Sequence, residues 1–343
     1  MMKSMVLEKI NSLDDCRAPL RFMDSPVPKP GPEEILIKIK ACGVCHTELD
    51  EIEGRTPPPV FPVILGHQVV GVVAERGSRA KNFSMGQRAG VAWIFSACGK
   101  CRFCMTGREN LCPEFKATGR DANGGYAEYM TVPESFAYPI PDAFTNVQAA
   151  PLLCAGAIGY RSLRLTGIQN SSRLGLTGFG ASAHLVLKMA RHLYPDAQMF
   201  VFARNETERE FAKHLGAVWA GDTDDPVPEK LDAIIDTTPA WKPIVAALNN
   251  LDAGGRLVIN AIRKDNRDKD RLLSLDYPAH LWMEKEIRSV ANITSRDVRE
   301  FLLLAAGMNI RPEIQEYALA DANRALLELK KGHIRGAKVL VMD

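Results

Sequence analysis

Long apolar runs and runs of like charge are both missing from this 343-residue chain. A bilayer-spanning helix needs about 20 consecutive apolar residues; no segment approaches that, so no membrane partner is expected. Lys and Arg number 43 against 41 Asp and Glu, a formal net charge of +2. That near balance offers no electrostatic footprint for nucleic acid. The opening MMKSMVLEKI has no continuous apolar core before its charges return. No signal peptide is therefore expected, and the cytoplasm is the expected location.

What is present is 46% apolar and 24% charged, the balance of a soluble globular protein. The length exceeds one average core and predicts two domains. Eight cysteines stand at Cys16, Cys42, Cys45, Cys98, Cys101, Cys104, Cys112 and Cys154. In a cytosolic chain such close spacing points to metal binding or catalysis before disulfides.

The first 150 or so residues read as β-rich. Short strands at 34–40, 69–74 and 126–132 are separated by Pro, Gly and charged turns, the pattern of a small barrel or sandwich with long loops. After Pro151 the pattern changes. SRLGLTGFG reads as a buried strand entering a glycine turn, and ASAHLVLKMARHL follows at helical spacing. QMFVFAR, LDAIIDTT and GGRLVIN read as further strands, with helices over ETEREFAKHLG and 241–251 between them. Strands alternating with helices predict a doubly wound parallel sheet. From about residue 291 the character is less regular. A helix over SRDVREFLLLAAG and a final strand, GAKVLVMD, close the chain.

CGKCRFCMTGRENLC spaces Cys98, Cys101, Cys104 and Cys112 as C-x2-C-x2-C-x7-C. Four thiolates in one loop can close a tetrahedral shell around zinc and leave no position for substrate. An iron–sulfur cluster is the rival; the short closure within a single loop favours a structural zinc. The glycine turn carries Gly178-x-Gly180-x-x-Ala183, the G-x-G-x-x-G/A fingerprint of a dinucleotide pyrophosphate site. Gly178 permits the tight turn, Gly180 admits the pyrophosphate, and Ala183 keeps the helix close to the sheet. An acid at the end of the next strand would bind the ribose of NAD. The sequence there is VFARNETER, with Arg204 suited to a 2′-phosphate, so NADP(H) is favoured over NAD(H). Glu206 stands near enough to serve a ribose instead.

His67 and Gln68 interrupt an otherwise ordinary buried strand, VILGHQVVGVV. Taken with CGVCHTELD, GGYAEY and the isolated Cys154 in PLLCAG, this resembles the zinc-dependent medium-chain alcohol dehydrogenases, with the motifs in the family's order along nearly the whole chain. The resemblance implies a GroES-like β-barrel catalytic domain over 1–155 and a Rossmann nucleotide-binding domain over 156–290. It also implies a segment, 291–343, that returns to the barrel, and a homodimer or homotetramer. Two zinc ions per chain are expected, the structural one and a catalytic one on Cys45, His67 and Cys154. Two cysteines and one histidine with an open fourth position is the set for which alcohol dehydrogenase is known. Cys42 and Cys16 match no ligand and read as small buried hydrophobes.

By the same resemblance Thr47 is the hydroxyl that takes the alcohol's proton, and His46 is the cation facing the cofactor pyrophosphate. Glu48 stands where an Asp usually orients the histidine ligand. Asp50 stands where many members have a His that passes the proton to water. Gln68 replaces the family's usual Glu, removing a negative charge beside the metal, which should make the site more electrophilic. Trp93, Ile94 and Phe95 fall where members place substrate-pocket side chains and suggest a mainly apolar substrate; barrel core is the equal alternative. The implied activity is reversible hydride transfer between a primary or secondary alcohol, or its aldehyde or ketone, and NAD(P). An NADPH-dependent aldehyde reductase is the nearest alternative. An inactive nucleotide-binding structural or regulatory protein on this fold is disfavoured by the retained ligands and Thr47. A zinc-ribbon nucleic-acid binder is disfavoured by the neutral charge.

Overall fold

The computed structural model describes residues 1–332 and 336–342. Residues 333–335 and Asp343, part of the expected returning segment, lie outside the described residues. The chain divides into two compact units, Met1–Cys154 with Ile293–Asp343, and Ala155–Asn292.

The first unit opens on strands β1 Met2–Leu7, β2 Leu20–Ser25, β3 Glu34–Val44, β4 Val63–Ile64, β5 Val69–Arg76 and β6 Arg88–Val91. It continues with β7 Ile94–Ser96, β8 Lys116–Ala117, β9 Tyr129–Pro133 and β10 Ala137–Pro139. The second unit holds β11 Arg173–Thr177, β12 Gln198–Phe202, β13 Trp219–Gly221, β14 Leu231–Asp236, β15 Leu251–Ile259 and β16 Glu286–Ser289. The chain then returns to the first unit with β17 Ile314–Ala318 and β18 Ala337–Val341.

β3 is the spine of the first unit. Ile35, Ile37, Ile39 and Ala41 are all fully buried, the period-two pattern of a strand with one face on the core. It pairs antiparallel with β5, β9 and β18. The last pairing sets Leu340 opposite Cys42 and Val341 opposite Ala41, so the returning strand braces the segment that leads to Cys45. Leu326, Leu329 and Leu340 join Leu7, Ile37, Val69 and Met130 in one core.

The second unit is a wholly parallel sheet ordered β13-β12-β11-β14-β15-β16. The order reverses at β11, leaving a crevice at the carboxyl ends of β11 and β14, the usual dinucleotide position in such sheets. The helix over Ala181–Leu193 has the expected bounds. β13 and β16 had no sequence signal because each is short, and all four β16 residues are exposed. Among the described residues no helix is long and apolar enough to cross a membrane.

One local reading changes. Residues 63–73 form two strands, with a break over 65–68. Gly66 sits at φ +96, and a Cβ there would lie 2.4 Å from the Tyr126 ring. The chain turns out of the ladder at this point, and His67 stands in the break.

Candidate metal centres and nucleotide turn

Cys45 caps the helix over His46–Ile52 at the end of β3, and Cys154 lies in a wide helical turn over Leu152–Gly156. Their sulfurs are 3.9 Å apart, and His67 Nε2 is 3.3 Å from the Cys154 sulfur. All three ligand atoms lie within 4.8 Å of one another. Tetrahedral bonds of about 2.3 Å would set two sulfurs ~3.8 Å apart, so the donor set fits zinc. The hydrogen bond from Cys154, together with the His67 imidazole, holds the Cys45 thiol well below its usual pKa, favouring the thiolate a metal needs.

Glu48 reaches both partners that fix this corner. Its carboxylate accepts from the Cys45 backbone N–H at 2.8 Å and lies 2.6 Å from His67 Nδ1. The longer side chain therefore spans the distance expected of the family's Asp, and Nε2 is left for the metal. Thr47 Oγ1 is 3.7 Å from the Cys45 sulfur. Gln68 is buried and lies over Gly43, where a Cβ would come within 2.6 Å of its Oε1. Asp50 is buried too, and its carboxylate accepts from Arg55 Nε at 2.5 Å. His46 is exposed on the first helical turn.

One feature of this corner, Glu51, carried no sequence motif, and the GGYAEY motif gains a structural part. Glu51 is 1% exposed, and among the described residues neither carboxyl oxygen has a hydrogen-bond partner. Burial, reinforced by the Glu48 charge, pushes its carboxyl well above the usual range. Tyr126 is fully buried with its hydroxyl also unpartnered. Gly124 and Gly125 donate to Ile64 and Gly66, so the GGY stretch forms the wall behind the His67 loop. Cys42 is buried against that wall, as expected of a small hydrophobe; Cys16 is half-buried.

Cys98, Cys101, Cys104 and Cys112 bring four sulfurs within 4.8 Å of one another. Cys104 stands 3.9 Å from Cys98 and 3.6 Å from Cys101, far outside the ~2.05 Å of a disulfide. Backbone N–H groups of Cys98 and Glu114 donate to the Cys112 sulfur, and that of Cys101 to Cys98. Such donors suit thiolates, and the closed set of four suits a structural metal. Beside this loop Trp93 is half-buried, with Arg120 over its ring at 5.6 Å. Ile94 is fully buried, and Phe95 packs on the first unit's core.

In the second unit Gly178 takes φ +76, and nothing lies within 4 Å of a Cβ placed on Gly180. Ala183 is fully buried beneath the helix over Ala181–Leu193. Open space over Gly180 at the start of a 13-residue helix fits a pyrophosphate on free N–H groups. Arg204 is exposed just past β12 and engages no carboxylate among the described residues. Arg209, unmarked in the sequence, is pinned to the carbonyls of Ala203 and Arg204 at 2.8 and 3.0 Å. Two guanidinium groups thus stand at the end of β12, with Glu206 exposed nearby.

Comparison with known proteins adds independent findings. Residues 31–142 match the family of alcohol dehydrogenase GroES-like domains. A probable alcohol dehydrogenase, AdhA, of Mycobacterium tuberculosis is 43% identical over 329 residues, spanning 94% of this chain and 93% of the relative. An alcohol dehydrogenase of Geobacillus stearothermophilus is 33% identical over 324 residues, spanning 91% and 93%. Among solved structures, an acetophenone reductase of Geotrichum candidum in complex with NAD superposes with a TM-score of 0.85 at 25% identity. That superposition covers 99% of this chain and 97% of the other.

Proposed function

Since this chain belongs to the zinc-dependent medium-chain alcohol dehydrogenases, we propose that it interconverts a primary or secondary alcohol and its aldehyde or ketone with NADP favoured over NAD. The observation that carries the reading is the Cys45–His67–Cys154 donor set, with Glu48 on the far nitrogen of the imidazole. When bound, zinc supplies a Lewis acid that acidifies an alcohol, and the nicotinamide supplies the hydride acceptor.

The chain's own residues do the rest. Cys45, His67 and Cys154 hold the catalytic zinc, and Cys98, Cys101, Cys104 and Cys112 the structural one. Two thiolates offset the metal's charge, and Glu48 fixes the imidazole so that Nε2 is the ligating atom. Thr47, beside the Cys45 sulfur, is the hydroxyl that would relay the substrate's proton, taking it up as its own passes on to the cofactor ribose. His46 and the Gly178–Ala183 turn bind the cofactor phosphates. Arg204, with Arg209 beneath it, takes the 2′-phosphate. Trp93 and Phe95, which keep exposed surface while Ile94 is buried, are the pocket residues of the trio.

Cysteines without bridges suit a reducing compartment, and we place the protein in the cytoplasm. The exposed edge strand β16 is a template for pairing with a second copy, in keeping with a dimer or tetramer. Steady-state kinetics over alcohols of rising size test the cofactor reading. NADP should give at least tenfold higher kcat/KM than NAD, and Arg204→Ala should erase most of that preference, since one charge-assisted contact is worth roughly tenfold. A preference for NAD would overturn the role given to Arg204.

A further inference from the structure

Beside the glycine turn, the second unit buries an ion pair that the reaction as described does not use. Asp236 ends β14 with its side chain fully buried, and Lys264, past β15, is 8% exposed. The lysine ammonium donates to the Asp236 carboxylate, to the Thr238 carbonyl at 2.8 Å and to the Ala240 carbonyl at 3.1 Å. All three of its protons are therefore engaged. The other Asp236 oxygen accepts from the Thr238 hydroxyl at 2.8 Å. One lysine thus clamps the whole loop that leaves β14.

That loop is the floor of the glycine turn. Thr237 donates its backbone N–H and its hydroxyl to the Thr177 carbonyl, at 3.0 and 3.1 Å. A Cβ placed on Gly178 would lie 2.9 Å from Thr238 Cγ2 and 3.0 Å from Thr237 Oγ1. The loop and the turn face each other at the ends of β11 and β14, where the strand order reverses. A buried ion pair is weak evidence for stability, because apolar residues of similar shape often serve as well. Its geometry here is better explained by what it holds in place.

We propose that Asp236 and Lys264 are a positioning pair for the nicotinamide dinucleotide, holding the β14 wall of the crevice at the spacing the glycine turn requires. This rests on the reading that the chain binds such a cofactor. The pair touches neither metal centre, both of which lie in the other unit.

The test is the affinity for reduced NADP, read by nicotinamide fluorescence, in the parent and in the double variant Asp236→Asn/Lys264→Met. The double change leaves no unpaired buried charge and keeps an acceptor for Thr238. The dissociation constant should rise at least tenfold, with zinc per chain unchanged and kcat at saturating cofactor within about threefold. Lys338→Met, which removes another buried lysine from the first unit, should lower the melting temperature without moving that constant. A double variant that melts lower but binds within twofold of the parent overturns the inference. Should the double variant not fold, Thr238→Val decides: a threefold or greater loss supports the clamp, and unchanged binding overturns it. A parent that binds no reduced NADP or NAD overturns the cofactor reading, and the inference with it.

Discussion

Glu48 and Glu51 stand one helical turn apart, both buried, and burial pushes the carboxyl of each above its usual range, further for Glu51. Glu48 is met by two N–H donors, which oppose that rise; Glu51 is met by none among the described residues. A folded-state pKa above the unfolded value means the native protein holds that proton to higher pH. Stability from this group is then full below the unfolded pKa of about 4.3 and is lost as pH rises toward the folded value. Glu51→Gln should therefore raise the melting temperature at pH 8 and change it little at pH 4, as thermal scans at the two values would record. Glu48→Gln should instead weaken zinc retention about 10–100-fold, the usual cost of losing a histidine's orienting partner, measured by competition with a chelator. Gln68→Glu restores a negative charge beside the metal and should raise the apparent pKa of alcohol oxidation; an unchanged pH–rate profile would contradict that. Glu48 and Gln68 were legible because they sit in motifs. Glu51 was not, since burial without a partner is a property of packing and leaves no trace in spacing.

At the scale of elements, the metal loops depend on strands distant in sequence. β18 pairs with β3 from Ala41 to Val44, directly before Cys45. Lys338 on β18 is buried among Tyr317, Glu328 and Gln315, which ties that strand to β17 and to the helix over Ala322–Lys330. Lys338→Met leaves the Tyr317–Glu328 bond but strips the partly exposed Glu328 carboxylate of its cation, and should cost about 1 kcal/mol in denaturant unfolding. Sequence periodicity located the helices over Ala181–Leu193 and Ser295–Gly307 and the buried central strands of the parallel sheet. It missed β13, β16 and β17, which are short and partly exposed and carry no apolar alternation. It also ran 63–73 together, because β-branched residues flank the break and only the packing of Tyr126 against Gly66 reveals it.

For the whole molecule, the chain joins a GroES-like domain to a parallel-sheet nucleotide unit, the architecture of its family. Ordered motifs made that legible, since each metal or phosphate site constrains residue type at fixed spacing. What spacing could not supply was the support: the buried Asp236–Lys264 ion pair, Arg209 bound to the carbonyls beside Arg204, and the place of the GGYAEY glycines behind His67. The central claim is that catalysis depends on a zinc held by Cys45, His67 and Cys154. It is tested most directly by following nicotinamide absorbance during alcohol oxidation by the Cys154→Ser variant and the parent, with zinc counted in each. The account predicts two zinc ions per chain and turnover in the parent. In the variant it predicts one retained zinc, undiminished cofactor binding and at least a thousandfold loss of rate. Turnover at the parent rate in a variant that has lost that zinc would contradict it.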